Sequence, residues 1–189
     1  MRAGIERSTG RKVWHLLDSV CRSHKLVTRN TFSSELLAVV AAADDLMPLA
    51  LTLHEVTAGP SPPDATRKLR EDGSCSFGTI LTTDSMSLWS AIAATTVKVP
   101  TEKHLAVYLF WLRQQLDTRS ISVLRWSDTR DMTADCHTKG SVDRQAILNL
   151  MRGLFSFAHA VKDFTPRLAS NVPPDNTNTR PPPVPRVSP

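Results

Sequence analysis

Residues 31–56, TFSSELLAVVAAADDLMPLALTLHEV, restrict the fold more than any other part of the chain. Leu36, Val40, Ala43, Met47, Ala50 and Leu53 recur at spacings of three and four, which lays one apolar stripe along a helix. Thr31, Ser33 or Ser34 supplies the N-terminal cap, and Glu35 is expected in the first turn, where the helix dipole favours an anion. Pro48 has no N–H to donate and is expected to kink or divide the helix. So long a stripe must be covered by other elements. With 41% hydrophobic residues in 189, the chain can build one core of ordinary size.

The covering elements are legible on either side. RKVWHLLDSV and KLVTRN read as two short strands, paired as a hairpin across Cys21 to His24, and residues 1–10 read as loop or disorder. AGPSPPDATRK reads as a loop, because Pro60, Pro62 and Pro63 exclude regular structure. Thr79 to Thr83 form a β-branched and apolar run, followed by Asp84 and then by Leu88, Ala91 and Ile92 at helical spacing. A further helix starts near Pro100, with Leu105, Leu109, Leu112 and Leu116 on one face. SISVLRW is a strand built on Ile121, Val123 and Leu124. The stretch from Ser127 to Val161 turns and then becomes helical, with Gly140 breaking it in two.

From Thr165 the chain holds eight of its 13 prolines and almost no large apolar residue, too little to offset the entropy of ordering. A folded region over 11–162 and a disordered tail over 163–189 follow, and RPPPVPR reads as plain tail, with docking on a proline-recognition domain as the alternative. Antiparallel strands first and helix-linked strands later imply an α/β fold, a mixed sheet flanked by helices.

The formal charge of +5 and pI near 9.4 suit a polyanionic partner. Seven of the cations, Arg2, Arg7, Arg11, Lys12, Arg22, Lys25 and Arg29, fall in the first 29 residues, against Glu6 and Asp18. Cys21, Cys75 and Cys136 are odd in number and lack CxxC spacing, which gives neither a disulfide framework nor a zinc site. The opening MRAGIERSTG is polar and lacks the apolar core expected of a signal peptide, and no apolar run is read as a membrane span. The expectation is a soluble, intracellular protein, cytoplasmic or nuclear, without a membrane partner.

Three acidic residues fall at element boundaries: Glu35 on the first long helix, Asp84 at the carboxyl end of a strand, and Asp135 near the start of the helix after the last strand. Ligands gather at the carboxyl ends of parallel strands. Carboxylates converging there repel one another unless a hard cation such as Mg²⁺ neutralises them. Two such ions can drive phosphodiester hydrolysis. Taken alone, the three positions fit three helix caps equally well.

The words NTFSSELLAVVAAAD, TTDSMSLWSAI and RWSDTRDMTADCHTK, with TEKHLAVYLFWLRQQL between the last two, resemble in order and spacing the ribonuclease H segment of copia-type LTR retrotransposon polyproteins. The last word ends in the family's A-D-x-x-T-K form as Ala134, Asp135, Thr138 and Lys139. The likeness covers about residues 11 to 155. It implies a ribonuclease H-like fold and a Mg²⁺-dependent site, with Mn²⁺ as substitute and one or two ions bound, that cuts the RNA strand of an RNA–DNA hybrid. Glu35, Asp84 and Asp135 match the family's second, third and fourth acidic positions, as catalytic residues and metal ligands. The implied partners are the hybrid and an upstream polyprotein or reverse transcriptase segment.

The family's first acidic residue, on the first strand, has no match. Asp18 lies 17 residues before Glu35, too close to leave room for two further full strands. Glu6 lies in a stretch read as loop. The expected object is therefore N-terminally truncated: a fragment or degenerate copy of a retrotransposon ribonuclease H domain with impaired hydrolysis. The competing readings are a catalytically silent nucleic-acid-binding module and a non-functional relic. The six histidines show no paired ligand spacing, and Trp89, Trp111 and Trp126 read as packing residues. Trp14, in the basic segment, reads as packing with base stacking as the alternative.

Overall fold

The apolar stripe forms one continuous helix, α1, over Thr31–Ala58, in a computed structural model that describes residues 2–5, 12–20, 28–71, 75–96, 100, 102–133 and 145–166. Its cap is Asn30, one residue before the expected Thr31. Extended backbone there (φ −150°, ψ 162°) lets Asn30 Oδ1 accept the Ser33 N–H at 2.8 Å. The earlier start puts Glu35 at the fifth helical position, past the first turn. Pro48 lies inside α1 and does not divide it. Gly59 ends the helix with φ 94°, donating its N–H to Glu55 O at 2.9 Å. One 18-residue window of α1 has mean hydropathy 1.8, so by length and composition this helix could cross a membrane, contrary to the expectation of no such run. Leu36 and Ala43 on the same helix are fully buried in the protein core.

A hairpin forms among the described residues with a strand that the sequence did not suggest. β1 (Arg2–Ile5) and β2 (Lys12–His15) pair antiparallel as a separate two-stranded sheet, with Arg2 opposite His15 and Ile5 opposite Lys12. A strand thus occupies part of the segment read as loop. The strand read in KLVTRN lies mostly outside the described residues, and Asn30 at its end serves as the cap of α1. The proline-rich loop is shorter than expected as well. Pro63 opens a helix, α2 (Pro63–Glu71), taking the first position, where a missing N–H has no intrahelical acceptor to lose.

The second sheet has three strands in the order β3 (Ile80–Thr83), β4 (Val123–Ser127) and β5 (Val161–Phe164). β3 and β4 run parallel, with Leu81 opposite Leu124 and Thr83 opposite Trp126. The crossover that parallel strands require carries α3 (Met86–Ala93) and α4 (Ala106–Asp117). β5 returns antiparallel to β4, pairing Leu124 with Phe164 and Ser127 with Val161. The expected long helix is shorter, since α5 covers only Gln145–Met151 and the chain turns at Gly153 (φ 77°). β5 begins at that helix's expected last residue and takes Asp163 and Phe164 from the stretch read as disordered tail. The expected break at Gly140 lies outside the described residues. The architecture is a small mixed sheet with helices, in accord with the α/β class.

One core joins these elements. Leu36, Val39, Val40 and Ala43 of α1 meet Leu88 and Ile92 of α3, Leu109, Leu112 and Leu116 of α4, and Leu81 and Leu124 of the sheet. Glu102, its side chain 10% exposed, ties the start of α1 to the segment before α4. Its Oε1 accepts from Arg29 N–H and Asn30 Nδ2 at 3.2 Å and lies 2.9 Å from Ser33 Oγ. Arg113 of α4 closes the far end of α3, donating to Ile92 O at 2.5 Å and Ala94 O at 3.0 Å.

Candidate functional site

The parallel pair ends where α3 begins, and Asp84 is the first residue beyond β3. The cap of α3 is Ser85, whose Oγ accepts the Leu88 N–H at 3.4 Å. The commonest structural duty for an acid at this place is therefore taken by its neighbour. The Asp84 backbone is held by Trp126 of β4, whose Nε1–H donates to the Asp84 carbonyl at 2.8 Å. The Ser85 N–H donates to Thr83 Oγ1 at 3.2 Å, which tightens the same turn. The half-buried Asp84 side chain has no hydrogen bond or ion pair among the described residues.

Beside it, the carboxyl end of β4 carries two more acids. Asp128 caps a short 3₁₀ turn over Thr129–Asp131 and is engaged by Arg130, whose Nε and Nη2 reach its two oxygens at 2.8 Å each. These bonds hold the Asp128 carboxyl well below the ordinary carboxylate range. Asp131, with a side chain 7% exposed, accepts the His159 N–H at 2.7 Å and lies 2.9 Å from His159 Nδ1. Burial pushes the Asp131 carboxyl up. Hydrogen bonds from the His159 ring and from the His159 and Ala158 backbone outweigh it and leave the group below its ordinary value. An ionised carboxylate only accepts, so the ring proton sits on Nδ1. Ser127, the last residue of β4, is fully buried, and its Oγ has no hydrogen-bond partner among the described residues.

Aromatic and basic groups lie on the same strands. Lys162 of β5 places its Nζ 5.6 Å from the Trp126 ring centroid and 6.0 Å from that of Trp89. Trp89 Nε1 donates to Leu124 O at 3.4 Å, so one indole is anchored to the sheet and the other to Asp84. Trp89 packs against the core as expected, Trp126 is half-buried, and both bear a cation. Of the basic N-terminal cluster, Arg7, Arg11, Arg22 and Lys25 lie outside the described residues. Arg2 and Lys12 belong to the hairpin.

Of the three expected site residues, Asp84 stands at the strand end, and Glu35 is half-buried on α1 and engaged by a neighbouring group. Asp135 lies outside the described residues. Carboxylate oxygens are the donors that Mg²⁺ takes. Among the described residues, however, no three His, Cys, Asp or Glu side chains gather as ligands for a metal ion. Completion of the set rests on Asp135. Sequence reading missed the Asp131–His159 pair. Asp131 was visible in the D-T-R-D run after the strand, but nothing local marks a histidine 28 residues later as its partner.

Comparison with models of protein families, with curated proteins and with solved structures finds no match to this chain.

Proposed function

We propose that this protein is a fragment or degenerate copy of a retrotransposon ribonuclease H domain, directed at the RNA strand of RNA–DNA hybrids. The observation that carries the reading is Asp84: a half-buried carboxylate relieved of capping by Ser85, at the carboxyl end of a strand parallel to its neighbour. Together with Glu35 and Asp135 it would hold Mg²⁺. The bound ion would polarise the phosphodiester and lower the pKa of the attacking water. The chain's own contribution is placement. Trp126 fixes the Asp84 backbone, and the sequence of four motifs in order supplies the other two acids. Among the described residues β3 is an edge of its sheet, so an upstream polyprotein segment would add its strand there.

A second reading, a catalytically silent nucleic-acid-binding module, draws on the cationic and aromatic surface of Lys162, Trp89 and Trp126. The two differ in one assay. The full chain is incubated with labelled RNA–DNA hybrid in Mg²⁺ or Mn²⁺, beside Asp84→Asn, with folding checked by tryptophan fluorescence. Cleavage lost in the variant supports the nuclease. Hybrid binding that weakens steeply with salt, without cleavage, supports the module. A folded protein with neither activity is the relic and removes both readings.

A further inference from the structure

At the opposite end of the parallel pair lies a cleft of about 230 Å³, enclosed by the middle of α1, by α2 and by the segments leading into β3 and β4. Met47, Leu51, Leu69 and Phe77 give it apolar walls, and the exposed, oppositely charged residues Asp44 and Arg119 also line it. No ion pair joins Asp44 to Arg119, and neither side chain has a partner among the described residues. We propose that this cleft binds a small apolar zwitterion, a molecule with a carboxylate for Arg119, an ammonium group for Asp44 and a hydrocarbon body for the walls.

Three features support that ligand class. Arg119 is the one non-glycine with positive φ (63°) among the described residues, just past the end of α4, where its N–H bonds to Leu116 O at 3.0 Å. Glycine is the ordinary residue for that left-handed position. Arginine occupies it here, in a residue that lines the cleft. Pro48, which also lines the cleft, cannot donate the helical bond that would go to the Asp44 carbonyl, so an acceptor is added beside the Asp44 carboxylate. The wall is also firm. Thr79 Oγ1 donates to Ser120 O at 3.0 Å, and the Thr79 N–H donates to Ser122 Oγ at 3.1 Å. The volume is below that of drug-sized sites, which suits a single short chain or ring.

The test is saturation-transfer NMR with titration on the full chain, using leucine and 6-aminohexanoate as zwitterions, hexanoate as anion and hexylamine as cation. One zwitterion or both should bind at least tenfold more tightly than hexanoate and hexylamine. Arg119→Gly relieves the backbone and removes the guanidinium, so it should leave the melting temperature unchanged or raised and weaken zwitterion binding roughly 10- to 100-fold. Asp44→Asn should weaken zwitterion binding and spare hexanoate. No binding by either zwitterion overturns the proposal, as does equal binding of all four probes or unchanged affinity in folded Arg119→Gly.

Discussion

Helix α3 makes the division of labour at Asp84 and Ser85 measurable. If Ser85 is the cap, Ser85→Ala exposes the Leu88 N–H that its Oγ now accepts. Cap removal costs about 0.5–2 kcal/mol, and the 3.4 Å distance puts this bond in the lower half of that range, near 0.5–1 kcal/mol. The loss is felt globally, because Leu88 and Ile92 of the same helix are fully buried. Asp84→Ala removes a side chain with no partner among the described residues and should change stability by no more than about 0.5 kcal/mol. Alanine is the right replacement, since asparagine is itself a good cap and would hide a capping role. Urea unfolding followed by Trp89 fluorescence reads both. With a slope of about 2 kcal/mol/M, Ser85→Ala moves the midpoint down by roughly 0.25–0.5 M and Asp84→Ala by less. The reverse order, with Asp84→Ala the more damaging, would falsify the assignment of the cap and with it the claim that the Asp84 carboxylate is spare.

Three further outcomes are expected. Leu109→Ala, at a fully buried site on α4, should cost about 2–5 kcal/mol in the same unfolding assay. Asp131→Asn should cost about 1–3 kcal/mol near neutrality, by weakening the bonds to His159. Because the folded Asp131 carboxyl titrates below its ordinary value, that stabilisation is complete above the ordinary carboxylate range and is lost as pH falls through the folded value. Unfolding curves of variant and wild type should therefore converge below about pH 4, and a gap that widens in acid would sink the assignment. Ser127→Ala should gain about 1 kcal/mol or more if its buried hydroxyl is unbonded, and a measured loss would mean that a group beyond the described residues bonds it.

What the sequence reveals divides by range of interaction. α1, α4, β3 and β4 were legible because their signals are local: apolar spacing in Leu109, Leu112 and Leu116, and β-branching in Thr79 to Thr83. Elements whose state depends on a distant partner were not. β5 lies where a helical reading gives way to a tail reading, and it becomes a strand because β4 offers an edge for Val161–Phe164 to pair with. The pairing of β2 with β1 is hidden for the same reason, since pairing register is not written in either strand alone. α2 is hidden by a local rule, because Pro63 reads as a breaker and serves as a first helical residue. The capping of α3 was legible in principle, as Asp84 and Ser85 are adjacent candidates, and only geometry chooses between them.

Geometry also decides whether the two ends of the parallel pair influence each other. Thr79 at the cleft and Asp84 at the strand end are five residues apart along extended chain, roughly 16 Å. That exceeds the screening length of about 8 Å at physiological salt, so the charge on Arg119 contributes little to the electrostatics at Asp84. A mechanical route is also weak. β3 is held to β4 by ladder bonds along its length, by Thr79 with Ser122 at one end and by Trp126 with Asp84 at the other, so displacement at one end is resisted before it reaches the other. Arg119→Gly should therefore leave hybrid binding or cleavage unchanged, and Asp84→Asn should leave zwitterion binding unchanged. Cross-sensitivity in either direction would require β3 and β4 to shift as a pair, which these ties oppose.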